Sequence, residues 1–471
     1  MIPRRRRAGP ASAIVALAAV VALSTVVATG CGTVGVPGGP GSSTAPASSS
    51  TEVNVYERDR AAGVTRLLDS LTSTVSSGDV RAIGTLFDTA ATPAFKDRFS
   101  TATATFAPRR FAPRNGRSGT LRFVRFQYQL APTEEAEVLV PGELQELLDA
   151  GGSSDSWVAP VELRYALGGE TVPGVAEAEV VVGIQLVVAR HGDDWRLVGD
   201  AEALGREPSP TQMWELPGLQ VADTATAGGT SVVASYPRTA PTVATLRREL
   251  PGAVDAVTAF WGDSWDRRAV VVATATDDEF SALVPDGRAA TGAATAATVH
   301  SSVDLVQRTA TGQRIVLTPA VRELAPPTLA VVLRHELTHV AARTSTALDA
   351  PLWITEGVAE YVGRRGTYTR FADAAPDLTA SVRAGAMPAG PPADTDFAMD
   401  GQTSQVAYQS AWSLAAYVAD RFDEARLKKM YLGVAASALP AAQDAAITSS
   451  LGLTRAELVA DWQRWLARQV S

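Results

Sequence analysis

The chain has 471 residues, 46% of them apolar and 20% charged, with a formal net charge of −8. That is enough for two or three domains with sizeable cores, and the acidic balance excludes a nucleic-acid-binding face, which needs basic surface. A single cysteine, Cys31, excludes an internal disulfide, so stability must come from packing.

The N-terminus runs Met1-Ile2-Pro3, four arginines from Arg4 to Arg7, an apolar stretch from Ala11 to Ala28, and then Thr29-Gly30-Cys31. A basic segment followed by an apolar one is the layout of a secretory signal. The small residues before Cys31 resemble a bacterial lipobox. That resemblance implies residues 1–31 as a lipoprotein signal, with Cys31 lipidated and the new N-terminus. The other reading is an uncleaved anchor, because the apolar stretch is just long enough to span a bilayer. Both attach the chain to the cell membrane and place the remainder on its extracytoplasmic face. Cleavage would remove four arginines and no acid, taking the net charge from −8 to −12. Nucleic acid is therefore not an expected partner.

Residues 32–52 are rich in Gly, Pro, Ser, Thr and Ala and read as a flexible linker. Residues 53–204 read as a first, accessory domain. Val64, Leu67, Leu68 and Leu71 recur at helical spacing, and Val80 to Phe87 suits a short second helix. Strand patterns come next at Leu121–Tyr128, Val161–Leu167, Glu179–Arg190 and Trp195–Val198, the last two joined through His191-Gly192-Asp193-Asp194 as a hairpin. Helices followed by a curved antiparallel sheet make an α+β layer. The order resembles the cone-shaped fold of the nuclear transport factor 2-like and polyketide-cyclase-like superfamily, which implies a binding or packing module. His191, in the hairpin turn, reads as a solvated loop residue.

Residues 205–235, with Pro208, Pro210, Pro217, Gly218, Gly228 and Gly229, read as a connection, although Ser231–Ser235 suits the first strand of the second domain. In residues 236–471, Thr242 to Trp261 is helical in pattern, with Pro251-Gly252 as a potential break. Ala269–Ala273 reads as a buried strand, Asp277–Leu283 as a helix and Gln313–Thr318 as a strand. The last of these is either an edge strand that aligns an extended substrate or a core strand with no such role. His300 reads as a surface or core histidine, with the wall of a cleft as the alternative. Leu458, Trp462 and Leu466 form the core stripe of a C-terminal helical subdomain.

The chemistry concentrates at Arg334-His335-Glu336-Leu337-Thr338-His339. On a helix, residues four apart share a face, so His335 and His339 can turn toward one ion. Glu336 lies about 100° round the helix, within reach of a water on that ion. This is the zinc metallopeptidase signature, in which two histidines hold the metal and the Glu is the general base. Catalytic zinc needs a third protein ligand and an open position. Glu356 is the candidate, in Trp353-Ile354-Thr355-Glu356-Gly357-Val358-Ala359, after sixteen intervening residues that include Pro351.

The pair of motifs resembles the gluzincin clan, the thermolysin-like and aminopeptidase-N-like metallopeptidases, and in particular its bacterial peptidase MA-like members. The resemblance spans roughly residues 235–470. It implies one Zn²⁺ per chain on His335, His339 and Glu356, Glu336 as base, and Glu360 as the acid that accepts a hydrogen bond from the first histidine. A solvated surface role is the alternative for Glu360. It also implies a tyrosine donor to the oxyanion from a later helix. Tyr408 is the candidate, and core packing is its alternative. No Gly-x-Met-x-Asn exopeptidase signature is present. The expected activity is hydrolysis of a peptide or protein substrate. Two other functions stay open: a zinc-holding scaffold or sensor, and a ligand-binding module centred on residues 53–204.

Overall fold

The structure is a computed structural model that describes residues 18–21, 55–107, 118–119, 121–132, 138–168, 177–284, 294–398 and 401–471. Cys31, the remainder of the expected signal and the 32–52 linker lie outside the described residues. No helix among the described residues is long and apolar enough to cross a membrane. The fold is α+β.

The helix Val55–Ser77 presents Val64, Leu67, Leu68, Leu71 and Val75 on one face, all at 5% exposure or less. That face packs on a four-stranded antiparallel sheet in the order Phe123–Leu130, Asp155–Leu167, Val180–His191, Asp194–Gly199. The last two strands form the expected hairpin around Gly192, whose φ of 64° suits the two-residue turn. The helix expected over Val80–Phe87 shrinks to one 3₁₀ turn, Ile83–Leu86. His191 is not a solvated loop residue. Its Nε2 lies 2.6 Å from Oδ2 of the buried Asp88, which ties the hairpin to the helical layer.

A second, mixed sheet has seven strands. Its order is Ala18–Val21, Ala294–Val299, Arg314–Leu317, Val270–Ala273, Gly229–Ser235, Gln220–Thr226, Ser118–Gly119. Side chains alternate between its faces, as a strand requires. Val271, Ala273, Ile315 and Leu317 join the core under the helices Ala240–Trp261 and Pro326–Ala342. Val270, Val272 and Val316 join the core of the first unit. The sheet is therefore buried on both sides.

One expectation changes here, and one open alternative is decided. The 205–235 connection is folded: it supplies two strands of this sheet, and its Trp214, fully buried, packs edge-on against Tyr165 at 4.8 Å and Phe123 at 5.2 Å. The chain's own aromatics thus fill the cone. A cavity of about 320 Å³ remains between the cone and the larger sheet, lined in part by Tyr165, Trp214, Leu283 and Val316. The strand at Arg314–Leu317 is internal, hydrogen-bonded on both sides and wholly buried, so it is a core strand and not an edge. The position beside it belongs to Ala294–Val299, a strand with no legible pattern in the sequence. Within the expected signal, Ala18–Val21 lies parallel along that strand, a short β-capable stretch satisfying its outer backbone groups.

Pro251 does not break its helix. Ala240–Trp261 is continuous, because Leu246, Leu250, Val254 and Val257 hold it to the core while Gly252 faces solvent. The units are clamped by Arg314, which grips Glu177 with two parallel bonds of 2.7 and 2.8 Å. The C-terminal helices Glu424–Val434, Pro440–Leu451 and Arg455–Val470 close the far side, with Leu458, Trp462 and Leu466 fully buried.

Candidate metal centre

The helix Pro326–Ala342 begins with two prolines in its first turn, where the missing N–H groups cost nothing. Leu329, Leu333 and Leu337 point into the core at 1% exposure or less and fix the rotation of the helix. His335 and His339 then share the adjacent face, under the second helix Leu352–Arg364. Pro351 caps that helix, and Asp394 accepts the backbone N–H of Leu352 at 2.8 Å. Gly357, immediately after Glu356, has a packing reason. A Cβ there would stand 2.6 Å from the carbonyl oxygen of Ala411. Its absence lets the helix Gln402–Arg421, which carries Tyr408, approach Glu356 closely.

Nε2 of His335 lies 3.0 Å from Nε2 of His339 and 3.3 Å from Oε2 of Glu356, and Nε2 of His339 lies 3.6 Å from Oε1 of Glu356. Ligands about 2.1 Å from a tetrahedral zinc stand about 3.4 Å apart. The spacings are therefore of the size such an ion requires, with one Glu356 oxygen beside each histidine. His335 and Glu356 are at 1% exposure or less, His339 at 7%. Oε2 of Glu356 is buried without a hydrogen-bond donor. These three residues form the group among the described residues that could hold a metal ion. The charges agree. Burial alone would raise the Glu356 carboxyl, but the His339 and His335 imidazoles outweigh it and hold it down at about 2. Burial likewise opposes charge on His335, yet Glu356 and Glu360 lift its imidazole to about 10. A site that holds a proton on histidine this firmly favours a cation in its place.

Glu336 is fully buried one position along the helix. Burial raises its carboxyl, against the pull of both histidines. Its Oε2 accepts a 2.6 Å bond from the hydroxyl of Thr298 on strand Ala294–Val299, while Oε1 is buried with no partner. One oxygen is anchored and the other is free to take a proton. Thr298 was missed from sequence: it lies 38 residues upstream on an alanine-rich strand.

Glu360 is fully buried, not a surface residue. Its Oε1 faces Nδ1 of His335 at 3.5 Å, and its Oε2 binds Nε of Arg364 at 2.5 Å. Burial, which would raise its carboxyl, is overcome by Arg364 and His335. At 3.5 Å neither Nδ1 of His335 nor Oε1 of Glu360 has a hydrogen-bond partner; closed to a hydrogen bond, the contact would fix the histidine's tautomer. Arg364 had a legible signal in its spacing, four residues after Glu360 on the same helix face.

Tyr408 is 4% exposed and packs edge-on against Phe397 at 5.0 Å. It belongs to the core and also faces the site. Burial, then the carboxylates of Glu356, Glu360 and Glu336, push its hydroxyl well above the usual 10, so it stays a donor. His300 is also buried, at 6% exposure, and lines a recess beside His339. It is a buried histidine, as the core reading from sequence has it, and not a surface one.

No family model matches the sequence. No curated protein matches it either. Among solved structures, a two-domain M1 zinc metallopeptidase mutant bound to L-arginine aligns over 60% of this chain at 14% identity, with a TM-score of 0.29. The match spans 58% of that protein's chain, and a likeness this distant carries no argument for fold or activity.

Proposed function

We propose that the protein is a zinc-dependent peptidase working outside the cytoplasmic membrane and anchored there by lipid at Cys31. The observation that carries the reading is the buried triangle of His335, His339 and Glu356 beside a Glu336 whose Oε1 has no partner. A scaffold site has no use for an unpaired carboxylate oxygen held at such desolvation cost.

Bound by His335, His339 and Glu356, zinc would supply a water of lowered pKa and polarise a carbonyl. Glu336, positioned by Thr298, takes a proton at Oε1 and returns it to the leaving amine. Glu360 holds the orientation of His335, and Arg364 holds Glu360. Tyr408 offers its O–H to the oxygen on which charge develops. An extended peptide would lie along the strand Ala294–Val299, whose Thr298 touches Glu336 and whose outer edge already accepts Ala18–Val21. Removal of residues 1–30 as a signal would free that edge.

The test is metal analysis with hydrolysis of an internally quenched peptide library by protein beginning at residue 32. About one zinc per chain is expected, with activity abolished by a chelator and restored by zinc. A preparation that binds no zinc ends the proposal. One that binds zinc and cleaves nothing supports a metal-holding scaffold instead. Tyr408→Phe should lower kcat by about 10²- to 10³-fold, the usual effect of losing one oxyanion donor, with zinc content and melting temperature unchanged. An unaltered kcat would leave Tyr408 with packing alone.

A further inference from the structure

Beside His339 the fold leaves a narrow recess of about 20 Å³, walled by Thr298, His300, Arg343, Thr346 and Tyr431. It has room for one small polar group. Arg343, 5% exposed, comes one helical turn after His339. Its Nη2 donates to the carbonyls of Thr346 and Ala347, but its Nε is buried with no hydrogen-bond partner. It forms no ion pair among the described residues. Carbonyl contacts offset only part of the cost of burying a guanidinium, and a fold keeps such a cation cheaply only with an anion beside it.

The other recess groups do not supply that anion. Thr298 is engaged with Glu336 at 2.6 Å, and Tyr431 with Thr346 at 2.8 Å. His300 is neutral, because burial first and the charge of Arg343 second hold its imidazole down to about 4. Among the described residues the recess thus holds the Arg343 cation, with its Nε unpaired, and no anion beside it.

We infer that Arg343 binds a carboxylate of the substrate, carried by the residue next to the scissile bond, and sets the specificity of the site. The inference rests on the peptidase reading. A carboxylate matches a guanidinium in shape and charge. It can come from an aspartate side chain or from the free α-carboxylate of a terminal residue. The volume of the recess excludes a bulky apolar side chain.

Two measurements separate this inference from the reading beneath it. The first compares kcat/KM for matched peptides that carry Asp or Asn on either side of the scissile bond, each with a free or an amidated C-terminus. The carboxylate form should be preferred by about tenfold or more, the usual scale of a charged hydrogen bond. Preference for the Asp peptide identifies a side chain as the source, and preference for the free terminus identifies the α-carboxylate. Arg343→Met should bring the ratio toward one and Arg343→Lys should retain part of it, with zinc content and melting temperature read on both. The second measurement is calorimetric binding of succinate and of succinamide to the zinc-loaded Glu336→Gln protein, with and without Arg343→Met. Succinate should bind more tightly, and only while Arg343 is present. Peptide cleavage with no carboxylate preference, or a preference that survives Arg343→Met, overturns the inference and leaves the peptidase reading standing. Arg343-dependent succinate binding by a protein that cleaves no peptide would overturn the peptidase reading, and with it the place beside a scissile bond, while keeping Arg343 as a carboxylate site.

Discussion

Glu336→Ala should keep its zinc at wild-type stoichiometry and lose peptide hydrolysis by about 10³-fold, the scale of a general base. The metal should stay because Glu336 lies outside the triangle of His335, His339 and Glu356. The fold should also tolerate the change. The carboxyl is fully buried and raised, its side-chain partner among the described residues is the Thr298 hydroxyl, and that hydroxyl also stands 3.4 Å from the Glu336 carbonyl oxygen. No charge is stranded when the side chain is removed. Glu336→Gln sharpens the test, since it keeps the volume and the Thr298 contact but cannot accept the proton. Both variants should fail in kcat with KM little changed. If either keeps near-wild-type turnover, the base is another group and the mechanism is wrong. Thr298→Val should give an intermediate loss of about tenfold, the value of one hydrogen bond to a charged group. Thr298→Ser should recover it, because the hydroxyl and not the methyl is what orients Glu336.

The parts of this site that were legible in the sequence lie on two consecutive helices. There the period of 3.6 residues puts His335 and His339 on one face with Glu336 beside them, while the roles of Glu356 and Glu360, on the next helix, came from the resemblance to the gluzincins and not from spacing. The structure brings all five together within two packed helices. Thr298 and His300 arrive from a strand that reads Ala294-Thr295-Ala296-Ala297-Thr298-Val299. Alanine is a poor strand former, and half of this one is alanine, so no period-2 signal stood out. The same strand explains why the sequence left Arg314–Leu317 open between an edge strand and a core strand. Its placement as an edge or an interior strand depends on a neighbour that leaves no pattern in the sequence. Residues 205–235 were misjudged for the opposite reason. Their prolines lie in the approach to the strand Gln220–Thr226, Gly228 and Gly229 turn it into Gly229–Ser235, and Trp214 is the plug of the first unit's core. Composition reports turns faithfully but not whether the residues between them are buried.

The second large effect concerns the metal itself. Glu356→Gln removes the only charged ligand while keeping the side chain's size. It should weaken zinc by more than about a hundredfold, beyond the 10- to 100-fold usual for a residue that only supports a ligand. Glu360→Gln should fall within that smaller range, and it should also lower stability with or without zinc. Its loss strands Arg364, whose side chain is only 10% exposed and which depends on Glu360 at 2.5 Å. The two variants therefore separate by how far the melting temperature rises when zinc is added. In the wild type, zinc at a thousand times its dissociation constant should add about 4 kcal/mol, and at the same concentration Glu356→Gln should gain less than about 1.4 kcal/mol. The pH dependence has a definite sign. In the metal-free protein the carboxylates of Glu356 and Glu360 keep His335 protonated up to about 10. A ligand histidine must be neutral, so zinc displaces that proton, and affinity should rise by about tenfold per pH unit as pH increases toward that value. Calorimetry at neutral pH in buffers of differing ionisation enthalpy should count about one proton released per zinc bound. A count near zero would mean that His335 is already neutral and that the carboxylates do not act on it as their placement implies. A count near one in the wild type that falls in Glu360→Gln would assign the proton to the His335–Glu360 contact, and with it the orientation of the first metal ligand.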